Sequence, residues 1–143
     1  MDDRFTQRPI AWWFIIGALA SLMFMALGCM GLIIHVTTDP NKLPLDERAL
    51  MEAEPRWVLA ASVLGFGAGL IGAILLLLRR QLAELVLIIS LAGFFLWLVG
   101  MFATPRFRDL LSTNQIAVII FAVAIAWTIY CFARHSRRRG WLR

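Results

Sequence analysis

Residue types that carry enzyme or metal chemistry are few in this chain and lie far apart. The two histidines, His35 and His135, flank different apolar segments at opposite membrane faces, so they cannot share a metal ion. The sequence contains no HExxH, CxxC or phosphate-binding glycine motif. No charged residue occupies the middle of an apolar segment, where ion-coupled transporters usually need one. We therefore predict no catalytic, metal-binding or cofactor-binding residues, and the pattern disfavours an antiporter.

A second group of side chains could contact a neutral solute, because hydroxyls and aromatic rings suit a sugar. The candidates lie in the third and fourth apolar segments: Ser90, Trp97, Trp127, Thr128 and Tyr130. A purely structural role is the alternative for the hydroxyls, because Ser and Thr also bond to the backbone of their own helix. These residues define either a contact for a solute or lipid, or ordinary helix surface.

Four apolar segments must position all of these groups. They span residues 10–34, 57–78, 82–103 and 116–133, and each is close to the ~20 residues that an α-helix needs to cross a bilayer core. Backbone groups in lipid must be satisfied within their own segment, so the segments are predicted to be helices. The 143 residues, 61% of them hydrophobic, therefore predict one all-α domain, a four-transmembrane-helix bundle. The first segment is too long for a cleaved signal peptide and is expected to be a retained anchor.

The distribution of charge predicts the orientation of the bundle. Cations flank the spans and form no groove-facing surface, which argues against nucleic-acid binding despite the net charge of +5. Five cations lie on the side of the first loop, residues 36–56, which also carries several acids. Nine lie on the other side: Arg4, Arg8, Arg79, Arg80, Arg134, Arg137, Arg138, Arg139 and Arg143. The positive-inside rule then places both termini in the cytoplasm and the first loop outside.

Local signals refine the segments between the spans. Pro44 and Pro55 bracket a short amphipathic helix in the outer loop, residues 44–53, with an ordinary connector as the alternative. Thr113 or Asn114 is expected to cap the fourth span. Glu84 is expected at the inner interface near Arg80. The last cluster of arginines forms a basic tail that would contact anionic lipid headgroups, or would only set the topology: Arg134, Arg137, Arg138 and Arg139.

The second span carries a ridge of small residues. Its members recur at intervals of four, with one further glycine beside them: Ala61, Gly65, Gly69, Ala73 and Gly72. Small residues on one ridge let another helix approach closely, which gains dispersion contacts within the membrane. The ridge predicts a helix-packing surface, formed either with a second subunit or with another helix of the same chain.

Two stretches of the chain resemble a known family. One runs from Leu43-Pro44-Leu45-Asp46-Glu47 through Pro55-Arg56-Trp57 into the glycine-rich second span and Arg79-Arg80; the other is the ending Ala133-Arg134 followed by Gly140-Trp141-Leu142-Arg143. Together they resemble a family of small four-span bacterial inner-membrane proteins often labelled "sugar transporter". The resemblance implies a bacterial inner-membrane location and a transport role, without defined site residues. The chain departs from the family at Trp97, where relatives often have a polar residue.

Three functions follow from these observations. The first is a non-catalytic accessory or interaction subunit that packs as a homo-oligomer or within a larger membrane complex, among membrane lipids. The alternative is a permease for a small neutral solute such as a sugar, acting as a homo-oligomer because four helices leave little room for an aqueous path. The third, binding of a lipid or quinone in a groove between helices, remains open.

Overall fold

The computed structural model describes residues 12–142, which form helices and their connections. The helices are α1 (Trp12–Thr37), α2 (Leu45–Ala53), α3 (Arg56–Leu77), α4 (Leu82–Ala103), α5 (Pro105–Leu110) and α6 (Thr113–Arg138), with a 3₁₀ turn at Pro40–Lys42. The four long helices are long and apolar enough to cross a membrane, so the predicted four-span all-α architecture is confirmed at this level. The predicted start of the first span at Ile10, and the cations Arg4, Arg8 and Arg143, lie outside the described residues.

The fourth long helix differs most from its predicted bounds, because α6 begins three residues before position 116 and ends five after 133. Its N-cap is Ser112, so the predicted cap at Thr113 or Asn114 is wrong. The Ser112 hydroxyl accepts a hydrogen bond from the Gln115 backbone N–H at 3.3 Å, and the Gln115 side chain accepts one from the Ser112 N–H at 2.9 Å. This reciprocal capping box satisfies two backbone donors that would otherwise lack partners at the helix start.

The long helices pack in the order α1, α3, α4, α6, and the closest pair is α3 with α4. The turn between these two helices is short because Arg79 adopts a left-handed conformation, with φ of 60°. The Arg80 N–H then bonds the Leu75 carbonyl and the Arg79 N–H bonds the Leu76 carbonyl, the pattern of a Schellman motif. A tight antiparallel α3–α4 pair is therefore the centre of the bundle.

The two ends of the bundle are built differently. We call the end with the α3–α4 turn and the C-terminus the terminal end, and the end with α2 and α5 the loop end. At the terminal end, Gly140 has φ of +73° and ends α6, so that the chain turns back and buries Trp141. The Trp141 ring packs on Trp13 and Phe14, at centroid distances of 5.0 and 5.7 Å. The backbone carbonyl of Trp141 accepts a hydrogen bond from Arg79 Nε at 2.8 Å. The sequence predicted a basic tail here, and the structure adds that Trp141 and Leu142 are buried and close the terminal end.

At the loop end, α2 and α5 lie against each other across the ends of the long helices. The predicted loop helix at 44–53 is present as α2, whereas α5 was not predicted. Phe107 of α5 is buried in a small cluster with Val58, Met101 and Ile119. This cluster ties α5 to α3, α4 and α6 and so fixes the position of both short helices.

Candidate functional site

The predicted ridge of small residues lies inside the chain. All of its members are buried: Ala61, Gly65, Gly69, Gly72 and Ala73. Gly93 of α4 lies directly on this ridge, so near that a Cβ added there would be 2.6 Å from the Gly65 nitrogen and 3.1 Å from the Ala61 carbonyl oxygen. Such an approach of two backbones is possible only between glycines or equally small residues. Of the two alternatives for the ridge, the structure shows the contact with another helix of the same chain.

The remaining ridge positions also have intramolecular neighbours. Gly69 faces Met25 of α1 and the Ser90 hydroxyl of α4, and Gly72 faces the side chain of Leu87. Ser90 Oγ donates a hydrogen bond to the Gly65 carbonyl at 2.6 Å, which joins α4 to α3 in the buried core. The ridge therefore holds α1, α3 and α4 together.

The residues predicted to contact a solute do not come together in one place. Ser90 is engaged in the interhelical hydrogen bond just described. On α6, Thr128 is exposed and returns its hydroxyl to the Ala124 carbonyl of its own helix at 2.9 Å. Trp127 is 51% exposed on the outer face of α6, and Tyr130 lies 3.4 Å from the Arg134 guanidinium. Only Trp97 reaches the cavity described below.

The arginines of the predicted basic tail lie on the last turns of α6 and just after it. Arg137 Nη1 forms an ion pair with Glu84 Oε2 at 2.7 Å, which joins α6 to the start of α4. The Arg139 guanidinium lies 6.0 Å from the centroid of the Trp141 ring. The whole set is exposed at the terminal end, and its contact with anionic headgroups stays a prediction: Arg134, Arg137, Arg138 and Arg139.

The loop-end half of the bundle contains a cavity of about 690 Å³. It lies between α1 and α6. The aromatic contacts between these two helices occur at the terminal end, where Trp13 and Phe14 pack on Phe132. Its wall comes from all four long helices and from the cap formed by α2 and α5. The wall residues are apolar apart from Ser62: Gly28, Gly31, Leu32, Ile34, Leu50, Met51, Ser62, Phe66, Trp97, Met101, Phe107, Leu111, Val118 and Ile119. The volume is within the range of small-molecule sites, roughly 300–1,000 Å³.

The cavity reaches about halfway through the bundle. Its floor is formed by Phe66, whose ring lies on the Cα of Gly28 and meets Trp97 edge-on at a centroid distance of 6.1 Å. Phe66 is ten residues into α3, which corresponds to about 15 Å at ~1.5 Å per residue. The hydrocarbon core of a bilayer is ~30 Å thick, so the cavity has the depth of one leaflet.

The cavity, which we call the loop-end cavity, is also open sideways. Ile34 of α1 and Val118 of α6 line it from opposite sides, yet they are 58% and 66% exposed. Both residues belong to helices that are long and apolar enough to cross a membrane, so the gap between them is bordered by apolar side chains.

Polar groups occur at the rim of the loop-end cavity, where the helices end: His35, Thr38, Glu47, Glu54, Asn114 and Gln115. The central contact joins His35 Nε2 to Glu54 Oε2 at 2.8 Å. Glu54 follows the last residue of α2, and its side chain is only 11% exposed because the ends of α1 and α2 enclose it. The arrangement, an apolar chamber below a polar rim, suits a molecule with an apolar chain and a polar head.

Sequence reasoning identified only Trp97 among the residues of this cavity. The wall residues are spread over the whole chain, and in the sequence each looks like ordinary membrane-helix surface. His35 and Glu54 are nineteen residues apart, and their pairing depends on how the loop folds. One sequence feature could have indicated this pair: the imidazole of His35 lies at the end of an apolar span, directly before an acidic loop.

Comparison of the chain with protein-family models, with curated proteins and with solved structures found no match. The resemblance to the small four-span proteins labelled "sugar transporter" therefore rests on the sequence motifs quoted above, and the function has to be argued from the loop-end cavity.

Proposed function

We propose that this chain is a non-catalytic membrane protein that takes the apolar chain of a membrane amphiphile into the loop-end cavity. One observation carries the proposal: a largely apolar cavity of about 690 Å³ that is open between α1 and α6 and has its charged groups at the rim. Burial of each methylene of a lipid chain is worth ~0.8 kcal/mol relative to water, but little relative to the bilayer. Selective binding therefore depends on shape and on the polar rim.

The orientation of the cavity follows from the charges. The terminal end carries a concentration of arginines, whereas most acids lie at the loop end. With the terminal end in the cytoplasm, as the positive-inside rule requires, the loop-end cavity opens into the outer leaflet. In a bacterial inner membrane, this is the leaflet that faces the periplasm.

Gly31 permits a direct test of this proposal. It lines the cavity, and a Cβ added to it would meet nothing within 4 Å, so a large side chain there fills the cavity without a clash at its base. Gly67 on α3 is a matched control, because its added Cβ is equally free and it does not line the cavity. We expect G31L to lose the lipid that co-purifies with the wild-type protein in native mass spectrometry, and G67L to keep it. Retention of the same lipid by G31L would refute the proposal.

An accessory role in a larger membrane complex, or a homo-oligomer, is the second candidate. The observation in its favour is that α1 packs chiefly on α3, and residues 12–142 leave the rest of its apolar surface exposed. The small-residue ridge no longer argues for a partner, because it is used within the chain. Mild extraction from native membranes followed by mass determination tests this role: a stoichiometric complex supports it, and a strictly monomeric protein without a crosslinked partner contradicts it.

The sugar-permease hypothesis receives less support from the geometry. Trp127 and Tyr130 pack edge-on at a centroid distance of 6.3 Å on α6, away from the cavity, and of the five predicted contact residues only Trp97 lines the cavity. At the terminal end, the buried Trp141 and its aromatic neighbours obstruct a path through the bundle. Uptake of sugars by proteoliposomes that contain the purified protein would reverse this ranking.

A further inference from the structure

The rim of the loop-end cavity carries more acidic than basic side chains. Within residues 12–142, the side chains that line it include two carboxylates, Glu47 and Glu54, and one imidazole, His35, but no lysine or arginine. The loop end does carry cations, and Arg48 lies on α2 next to Glu47, but it pairs with Glu52 at 2.8 Å on the exposed side of this helix. The side of α2 that faces the cavity is therefore acidic.

Glu54 is placed to receive a ligand. Its hydrogen bond with His35 uses Oε2, which leaves Oε1 as the second acceptor of the carboxylate. A carboxylate that is largely removed from water is stabilised most effectively by a cation that also donates hydrogen bonds. A protonated primary amine meets both requirements, since it carries a full charge and three N–H donors.

The opposite side of the rim offers donors of a different kind. Gln115 uses its side-chain oxygen to accept the hydrogen bond of the Ser112 N–H, so its amide nitrogen remains a donor. Asn114 lies beside it at the start of α6 and is exposed. Neutral amide donors can bind a phosphate oxygen without the full charge of an arginine. The rim thus presents a carboxylate on the side of α1 and α2 and amide donors on the side of α6.

We propose that the occupant of the loop-end cavity is a membrane phospholipid whose headgroup ends in a primary amine, as in phosphatidylethanolamine. This inference rests on the proposed function and specifies its ligand. One acyl chain lies in the apolar chamber, the ammonium group binds Glu54, and the phosphate faces the amides of Asn114 and Gln115. A phospholipid whose only headgroup charge is negative is disfavoured, because the phosphate charge then meets two carboxylates with no ammonium to compensate them.

The test uses the full-length protein in nanodiscs that contain equal amounts of phosphatidylethanolamine and phosphatidylglycerol, with the retained lipids identified by native mass spectrometry. We expect the wild-type protein to retain phosphatidylethanolamine in about tenfold excess, the ratio that one charge-assisted hydrogen bond provides. We expect E54Q to retain lipid with most of this preference lost, because the amide keeps a hydrogen bond with His35 but lacks the charge. E52Q is the matched control, since Glu52 lies on the same helix and does not line the cavity.

The outcomes separate this inference from the function on which it rests. Retained lipid with no preference in the wild-type protein, or a preference that survives E54Q unchanged, overturns the choice of headgroup and leaves the cavity as a lipid site. Equal lipid retention by the wild-type protein and G31L overturns the proposed function itself. If E54Q does not fold, E47Q provides the second test, because Glu47 is exposed at the rim and is expected to contribute a smaller part of the same preference.

Discussion

The close approach of α3 and α4 predicts a large difference between two glycine-to-alanine substitutions. In G93A, the new Cβ would lie 2.6 Å from the Gly65 nitrogen and 2.9 Å from its Cα. Ordinary contact begins at about 3.4 Å, so the two backbones have to separate by roughly 0.8 Å. Since the obstructing atoms are backbone, rotation of a side chain cannot relieve the clash.

The magnitude of the effect follows from two opposing terms. Overpacking in a well-packed core typically costs ~1–3 kcal/mol, and alanine gains ~0.5–1 kcal/mol over glycine within a helix. We expect G93A to lower the free energy of unfolding by about 1–2 kcal/mol. G67A makes the same chemical change on α3 where the added Cβ meets nothing within 4 Å, so it should leave stability unchanged or raise it by up to about 1 kcal/mol.

Reversible unfolding in mixed micelles of a mild detergent and SDS, followed by circular dichroism, measures both variants. The separation of the helices should also weaken the hydrogen bond from Ser90 to the Gly65 carbonyl, so S90A should cost less in the G93A background than in the wild-type protein. A G93A protein as stable as G67A would refute the close backbone contact and, with it, the assignment of the small-residue ridge to packing within the chain.

Three further substitutions test other parts of the structure by the same unfolding assay. S90A removes the interhelical hydrogen bond and should cost ~0.6–2 kcal/mol, whereas T128A removes only a bond within one helix and should cost less; equal losses would contradict the interhelical bond. S112A removes the capping box of α6 and should cost about 1 kcal/mol, while an equal loss in T113A would show that the cap is assigned to the wrong residue. W141A removes the ring that closes the terminal end and should cost ~3–5 kcal/mol; an unchanged midpoint would mean that the last residues do not pack as described.

The long helices could be predicted because their physical cause is local. A run of about twenty apolar residues must form a helix in lipid wherever it occurs, and α4 has the predicted bounds of 82–103. The start of α6 was harder to predict from the sequence, because several polar residues in a row can each act as an N-cap. Only the reciprocal bonds between Ser112 and Gln115 select one of them.

The site depends on contacts between distant segments, which no local pattern encodes. The ridge on α3 was visible in the sequence, but its partner was not, because Gly93 is one of two widely spaced glycines in an otherwise bulky segment. In the same way, Trp141 near the end of the chain gave no indication that it would fold back onto Trp13 and Phe14. The sequence therefore identifies surfaces that can pack closely, while their pairing follows from the tertiary structure.

The apolar lining and the side opening of the loop-end cavity favour occupancy by a membrane component. Water is a poor substitute, because the chamber below the rim is apolar and offers it few hydrogen-bonding partners. In the proposed function, lipid chains enter through the gap between Ile34 and Val118, and the rim around Glu54 determines which lipid remains bound.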